Sequence, residues 1–122
     1  MKPKLITNNP EVITKTKYDG PVIEVKGNYL EVCLKVRDLL HLGYPLLTHP
    51  LSGSVKPNET PYKSVLVGNT IGKLDIEGIQ VIEETINTIK KLGLACKTLD
   101  EKTNEDFKII DADLISHVLK QF

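Results

Sequence analysis

The run Ser64-Val65-Leu66-Val67 limits the fold of this chain more than any other stretch. A strand with one wet face alternates apolar and polar residues, whereas this run after its serine is continuously apolar and rich in β-branched side chains, so it needs cover on both faces. Candidate covers stand on either side of it. After Asn28, with Glu31 three residues on in capping-box spacing, Tyr29, Val32, Cys33, Val36 and Leu40 recur on one helical face until Gly43 stops the run. After Asp75, a second helix carries the stripe Ile79, Ile82, Ile86 and Ile89, with Lys90 and Lys91 at its carbonyl end and Gly93 beyond it.

The rest of the chain reads in the same alternating way. Lys4, Leu5, Ile6 and Thr7 form a short strand; Asn9 then caps a helix with Pro10 at its first position, running to about Thr16. Asp19-Gly20-Pro21 is turn chemistry before a second strand, Val22-Ile23-Glu24-Val25. Residues 44–48 give a third strand, 64–67 a fourth, and Phe107, Lys108, Ile109 and Ile110 a fifth. Asp111 caps a terminal helix through Leu119, with Leu114, Ile115 and Val118 facing inward, and no element is assigned to residues 94–106. Strands alternating with helices imply crossovers. The expectation is a single three-layer α/β domain over residues 1–122, with a mainly parallel sheet of four to five strands flanked by helices and no internal repeat.

With 40% hydrophobic and 26% charged residues, the chain's 122 residues suffice for one core. Sixteen basic residues balance 16 acidic ones, so no overall field draws the chain to nucleic acid or to an anionic membrane, and neither is expected as a partner. Leu5 and Ile6 are the longest apolar run near the N-terminus and no run approaches the roughly 18 residues of a spanning helix, which makes the expected location cytoplasmic. Cys33 and Cys96 lack the spacing of a zinc site, so two free thiols, partly or wholly buried, are expected, with no metal and no cofactor. The charges Glu31, Lys35 and Asp38 read as the solvated face of their helix, and Arg37 beside Asp38 as solvated or helix-paired, with an interface as the alternative.

The interruption is the segment 48–64, THPLSGSVKPNETPYKS. A loop of this length in a small domain is either functional or disordered. Pro50, Pro57 and Pro61 restrict it, and Leu51, Val55 and Tyr62 are available as anchors, so an ordered polar loop is expected. Ligands of open α/β sheets bind beyond the carboxyl ends of the strands. If the first, third and fourth strands are parallel neighbours, Thr7, Asn8 and Asn9, then Thr48 and His49, then Gly68, Asn69 and Thr70 all emerge at one edge beneath the loop. The candidate ligand-binding residues are Thr7, Asn8, Asn9, Thr48, His49, Ser52, Gly53, Ser54, Lys56, Asn58 and Lys63, with Asn8, Asn9, Thr48, His49, Ser52 and Ser54 around one crevice.

Ser52-Gly53-Ser54 can offer amides and hydroxyls to a small anion, with charge from Lys56 or Lys63, but P-loop spacing is absent. His49 is the acid–base candidate and Glu59 the nearest carboxylate, with Ser52 or Ser54 as nucleophile; no Gly-x-Ser-x-Gly elbow frames either serine. A lone His at a strand end is more often a structural hydrogen-bonding group, so catalysis stays open. The sequon Asn58-Glu59-Thr60 has meaning only in a secreted protein.

Three stretches resemble one family. Thr7-Asn8-Asn9-Pro10, Val36-Arg37-Asp38-Leu39 and above all LLTHPLSGSVKPNETPYKS, residues 46–64, are similar to the GrdX family, small proteins encoded beside glycine, sarcosine and betaine reductase genes in amino-acid-fermenting anaerobes. The resemblance covers about the first two-thirds of the chain; beyond Asp75 it is a helical pattern only. It implies a cytoplasmic accessory role around a thiol- and selenium-dependent reductase and supplies no catalytic residues. Three classes of function follow: an accessory protein binding a reductase component or a small anionic ligand, a small hydrolase or transferase using His49 on an anionic or acyl substrate, and an assembly protein whose loop is a homo-oligomer contact.

Overall fold

The computed structural model describes residues 2–52, 56–94 and 100–122. Their elements are β1 (Lys4–Thr7), α1 (Pro10–Lys15), β2 (Val22–Glu24), α2 (Tyr29–His41), β3 (Ser64–Val67), α3 (Ile76–Leu92) and α4 (Glu101–Leu119). The helix starts follow side-chain chemistry. Asn9 accepts from Glu11 N with Pro10 at N1, and Asn28 and Glu31 close a reciprocal capping box. Asp75 accepts from Gly78 N, and Asp100 from Thr103 N. Gly43 ends the α2 segment at φ +111°, a conformation that any Cβ would strain.

The sheet is smaller than expected and mixed. It has three strands in the order β2-β1-β3, with β1 and β2 parallel and β1 and β3 antiparallel. The expected mainly parallel sheet of four to five strands is therefore wrong, and two segments account for the difference. Residues 44–48 make only an isolated bridge, Leu46 to Val67. Leu46 N–H turns to the Asp75 carboxylate at 2.9 Å and Thr48 Oγ1 takes the Leu66 N–H at 2.9 Å, so side chains occupy positions where a ladder would continue. Residues 107–110 lie inside α4 rather than in a fifth strand. Consequently Asp111 is not a helix cap but a buried residue more than two turns into that helix.

Both faces of β3 are covered. On one face Ile6, Val65 and Val67 pack with the buried sides of α2 and α3, including Val32, Val36, Ile82, Ile86 and Ile89. On the other, Leu5 and Leu66 pack with Val12 of α1 and with Ile115 and Leu119 of α4. Cys33 is buried and free in the first of these cores; Cys96 lies outside the described residues. Arg37 reaches across to Glu83 of α3 at 3.8 Å, joining the solvent sides of the two helices. No helix among the described residues is long and apolar enough to cross a membrane.

Strand direction decides which polar groups meet. Because Thr7 pairs with Ser64 and Lys4 with Val67, the end of β1 adjoins the start of β3. Gly68, Asn69 and Thr70 therefore lie at the opposite edge from Thr7, Asn8 and Asn9, where Asn69 accepts a hydrogen bond from Lys4 Nζ. The expectation that strand ends at 7–9, 48–49 and 68–70 share one edge fails for the last group. Residues 46–48 run antiparallel to β3, hence in the direction of β1, and deliver Thr48 to the same edge as Thr7.

Candidate functional site

Alternation along β1 and β3 turns Leu5 and Leu66 toward α4, and two residues further along the same face come Thr7 and Ser64. Their hydroxyls are 2.8 Å apart and both residues are buried. On α4 the buried positions Asp111, Ile115 and Leu119 are spaced four apart, so they form one stripe whose first member is a carboxylate opposite the hydroxyl pair. Asp111 Oδ1 accepts from Ser64 N at 3.0 Å, and Oδ2 accepts from Ser64 Oγ at 2.7 Å and Asn9 Nδ2 at 2.9 Å. With its own proton given to Asp111, Ser64 Oγ accepts from Thr7, whose oxygen in turn accepts from Asn9 N at 3.0 Å. Asn9 Nδ2 also donates to Lys108 O at 2.8 Å. The loop edge of the α4 core is thus closed by a hydrogen-bonded polar layer.

The 48–63 segment is tied over this layer. Asn8 accepts from Lys63 N at 3.0 Å and donates to Pro61 O at 2.8 Å and Gly27 O at 3.0 Å, joining three parts of the chain through one amide. Tyr29 of α2 donates to Pro50 O at 2.6 Å, and Tyr62 donates to Asn104 of α4 at 3.1 Å. Burial pushes the Tyr29 phenol well above its ordinary range.

Lys63 is the charged group at the centre. Its side chain is buried, and Nζ donates to Ser52 O at 2.8 Å and more weakly to Ser52 Oγ at 3.4 Å. It forms no ion pair with a carboxylate among the described residues. Burial lowers its pKa, and the charges of Asp111 and Cys33 oppose that shift from a distance. Two cavities of ≈ 20 Å³ each have Ser52, Lys63, Asp111 and Leu114 in their walls. A water needs roughly 10–15 Å³, so each can hold one water and neither can hold a metabolite.

The other sequence candidates lie on the outer side. His49 is exposed; its Nδ1 accepts from Leu51 N at 3.0 Å while its carbonyl accepts from Ser52 N, so the ring caps its own turn. Glu59 does the same for the turn at 56–60, accepting from Lys56 N at 3.1 Å. No hydrogen bond among the described residues joins His49 to Glu59. Lys56 and Asn58 are exposed beside Glu59. Gly53 and Ser54 lie outside the described residues. The structure therefore gathers Thr7, Asn8, Asn9, Thr48, Ser52 and Lys63 around the edge and sets His49, Lys56, Asn58 and Glu59 on its surface.

Ser64 and Asp111 belong to the gathered set although neither was a candidate, and Tyr62, expected as an anchor, holds the loop to α4. The available signal was the spacing Asp111, Ile115, Leu119, in which an acid takes an apolar stripe position. Among the described residues no group of three or more His, Cys, Asp or Glu is arranged to hold a metal ion.

The resemblance that the loop carries extends over nearly the whole chain. The family described as GrdX-like protein matches residues 4–120. This chain belongs to the GrdX-like protein family. The match takes in α3 and α4, where the sequence itself offered only a helical pattern, so Asp111 and Asn104 lie inside the GrdX-like region along with the loop they hold. Comparison with curated proteins and with solved structures finds no match.

Proposed function

We propose that this GrdX-like protein is a cytoplasmic, non-catalytic accessory protein of the glycine reductase system, and that its 48–64 surface recognises a component of the reductase. The supporting observation is the way the loop is held. Tyr29, Asn8, Lys63 and Tyr62 fasten it to α2, to the end of β1 and to α4, and the space beneath it is water-sized. A surface fixed before the encounter loses little conformational entropy on binding, which favours recognition by contact. Lys56, Asn58 and Glu59 are its exposed polar groups, with His49 beside them.

Lys63 supports a second reading. A buried ammonium without a paired carboxylate among the described residues favours a small anion beside it, with Ser52 and Thr48 in the same cavity wall. The two readings separate experimentally. Tagged protein incubated with native extract of a glycine-fermenting anaerobe should retain a reductase component, and the Lys56→Glu/Asn58→Ala/Glu59→Lys variant should lose it with far-UV circular dichroism unchanged. Retention by the variant, or failure of the parent chain to capture any reductase component, overturns the partner reading. Calorimetric titration with phosphate or acetate that responds to Lys63→Met would favour the anion reading instead.

A further inference from the structure

We propose that two copies of this chain pair through the outer edge of β2, extending the sheet across a two-fold axis. This surface lies away from the loop, and the inference does not rest on the accessory role. Pro21 O accepts from Leu5 N at 2.9 Å, and Val25 N donates to Thr7 O at 2.8 Å. Residues 21, 23 and 25 therefore turn their backbone groups to β1, and Val22 and Glu24 turn theirs outward. β2 is an edge strand: no described strand pairs with its outer side. Val22 is 42% exposed, and Glu24 and Lys26 are exposed as well.

Charge selects the occupant and the register. In antiparallel pairing, outward-turned residues must stand opposite outward-turned residues, and with the alternation continued to Lys26 three registers pair Glu24 within residues 22–26. One sets Glu24 against Val22 and a second sets Glu24 against its own copy. The third sets Glu24 of each copy against Lys26 of the other, with Val25 facing Val25 at a closely spaced position. Only the third makes opposite charges meet, and it does so twice, which makes the edge self-complementary. The adjoining face agrees. Ile23, Val25 and Leu34 line an open hollow of ≈ 460 Å³ flanked by Glu31, Lys35 and Asp38, which facing Val25 side chains would help to fill. A formal net charge of zero, from 16 basic and 16 acidic residues, adds no long-range repulsion between copies.

Sedimentation equilibrium of the full chain, from micromolar to near-millimolar concentration, tests the pairing. The expected result is a monomer–dimer equilibrium that Glu24→Lys and Lys26→Glu each weaken roughly tenfold, through like charges directly opposite at two places. The double exchange Glu24→Lys/Lys26→Glu should return the dissociation constant to within about threefold of the parent, since it recreates both pairs with the signs swapped. Amide exchange should show the Glu24 and Lys26 N–H groups gaining protection with concentration. A monomer at every concentration overturns the proposal and leaves Glu24 and Lys26 as charges that keep an edge strand unpaired. A dimer indifferent to the single changes, or not restored by the double one, also overturns it.

Discussion

Burial moves the ionisation of Cys33 and Lys63 in opposite senses, because it disfavours a thiolate and an ammonium alike. The Cys33 thiol is pushed from 9.0 up to about 12, mainly by burial, with the Lys63 charge opposing. Its folded value lies above its unfolded value, so the stability it contributes is complete below about pH 9 and is lost as pH rises toward 12. Lys63 is shifted down, so its contribution rises with pH in the range below 10.5. Between about pH 8 and pH 10 the thiol alone should remove about 1 kcal/mol, since each unit of differential protonation is worth about 1.4 kcal/mol. Cys33→Ala should therefore lose about 1 kcal/mol less than the parent chain over that interval, with Lys63 and Tyr29 present in both. Urea unfolding at the two pH values measures the difference, and equal losses would show that the thiol does not ionise on unfolding as argued.

At the scale of elements, α4 shows how much of this fold was legible and what concealed the rest. The first strand and the first three helices followed from local rules: Asn9, Asn28 and Asp75 each cap where the sequence places a cap. For α4 the local signals conflicted. Phe107, Ile109 and Ile110 look like a strand when read four residues at a time, whereas Asp100 as cap and the Asp111, Ile115, Leu119 stripe appear only across five turns. What fixes the element is tertiary: Asp111 fits an interior helical position because Ser64 and Asn9 supply donors there. Asp111→Ala would leave the Ser64 amide and hydroxyl and the Asn9 amide short of an acceptor, at a cost of about 3 kcal/mol. Asp113→Ala, on the exposed side of the same helix, should stay within about 0.5 kcal/mol. Chemical denaturation of the two variants checks this, and a loss below 1 kcal/mol for Asp111→Ala would mean that water replaces the carboxylate freely. The same conflict explains the partial view of the site. Asn8, Asn9 and Lys63 announce themselves by their position at strand ends, but the partners of Asn9 on α4, Asp111 and the Lys108 carbonyl, are invisible until the helix is in register.

At the scale of the molecule, the strand directions were beyond local reading. The alternation of strand and helix patterns suggests parallel crossovers, and residues 44–48 do run in the direction of β1. The long loop then reverses the chain, so β3 enters between β1 and the 44–48 segment, and the sheet becomes mixed through a return that no periodicity encodes. The outcome is one thin sheet shared by two separate cores, with Ile86 on one side and Ile115 on the other. Neither core is enclosed without the sheet, because β3 gives Val65 and Val67 to one and Leu66 to the other. Loss of either should therefore release both in a single transition. Ile86→Val and Ile115→Val should each cost about 1 kcal/mol. Their sum should hold in the double variant to within about 0.5 kcal/mol, since the two side chains lie on opposite faces and share no described packing partner. Thermal unfolding followed by tyrosine absorbance and by far-UV circular dichroism should give coincident curves for all four proteins. Separate transitions in the Ile115→Val protein would show instead that α4 and its core can detach while the α2–α3 face stays folded.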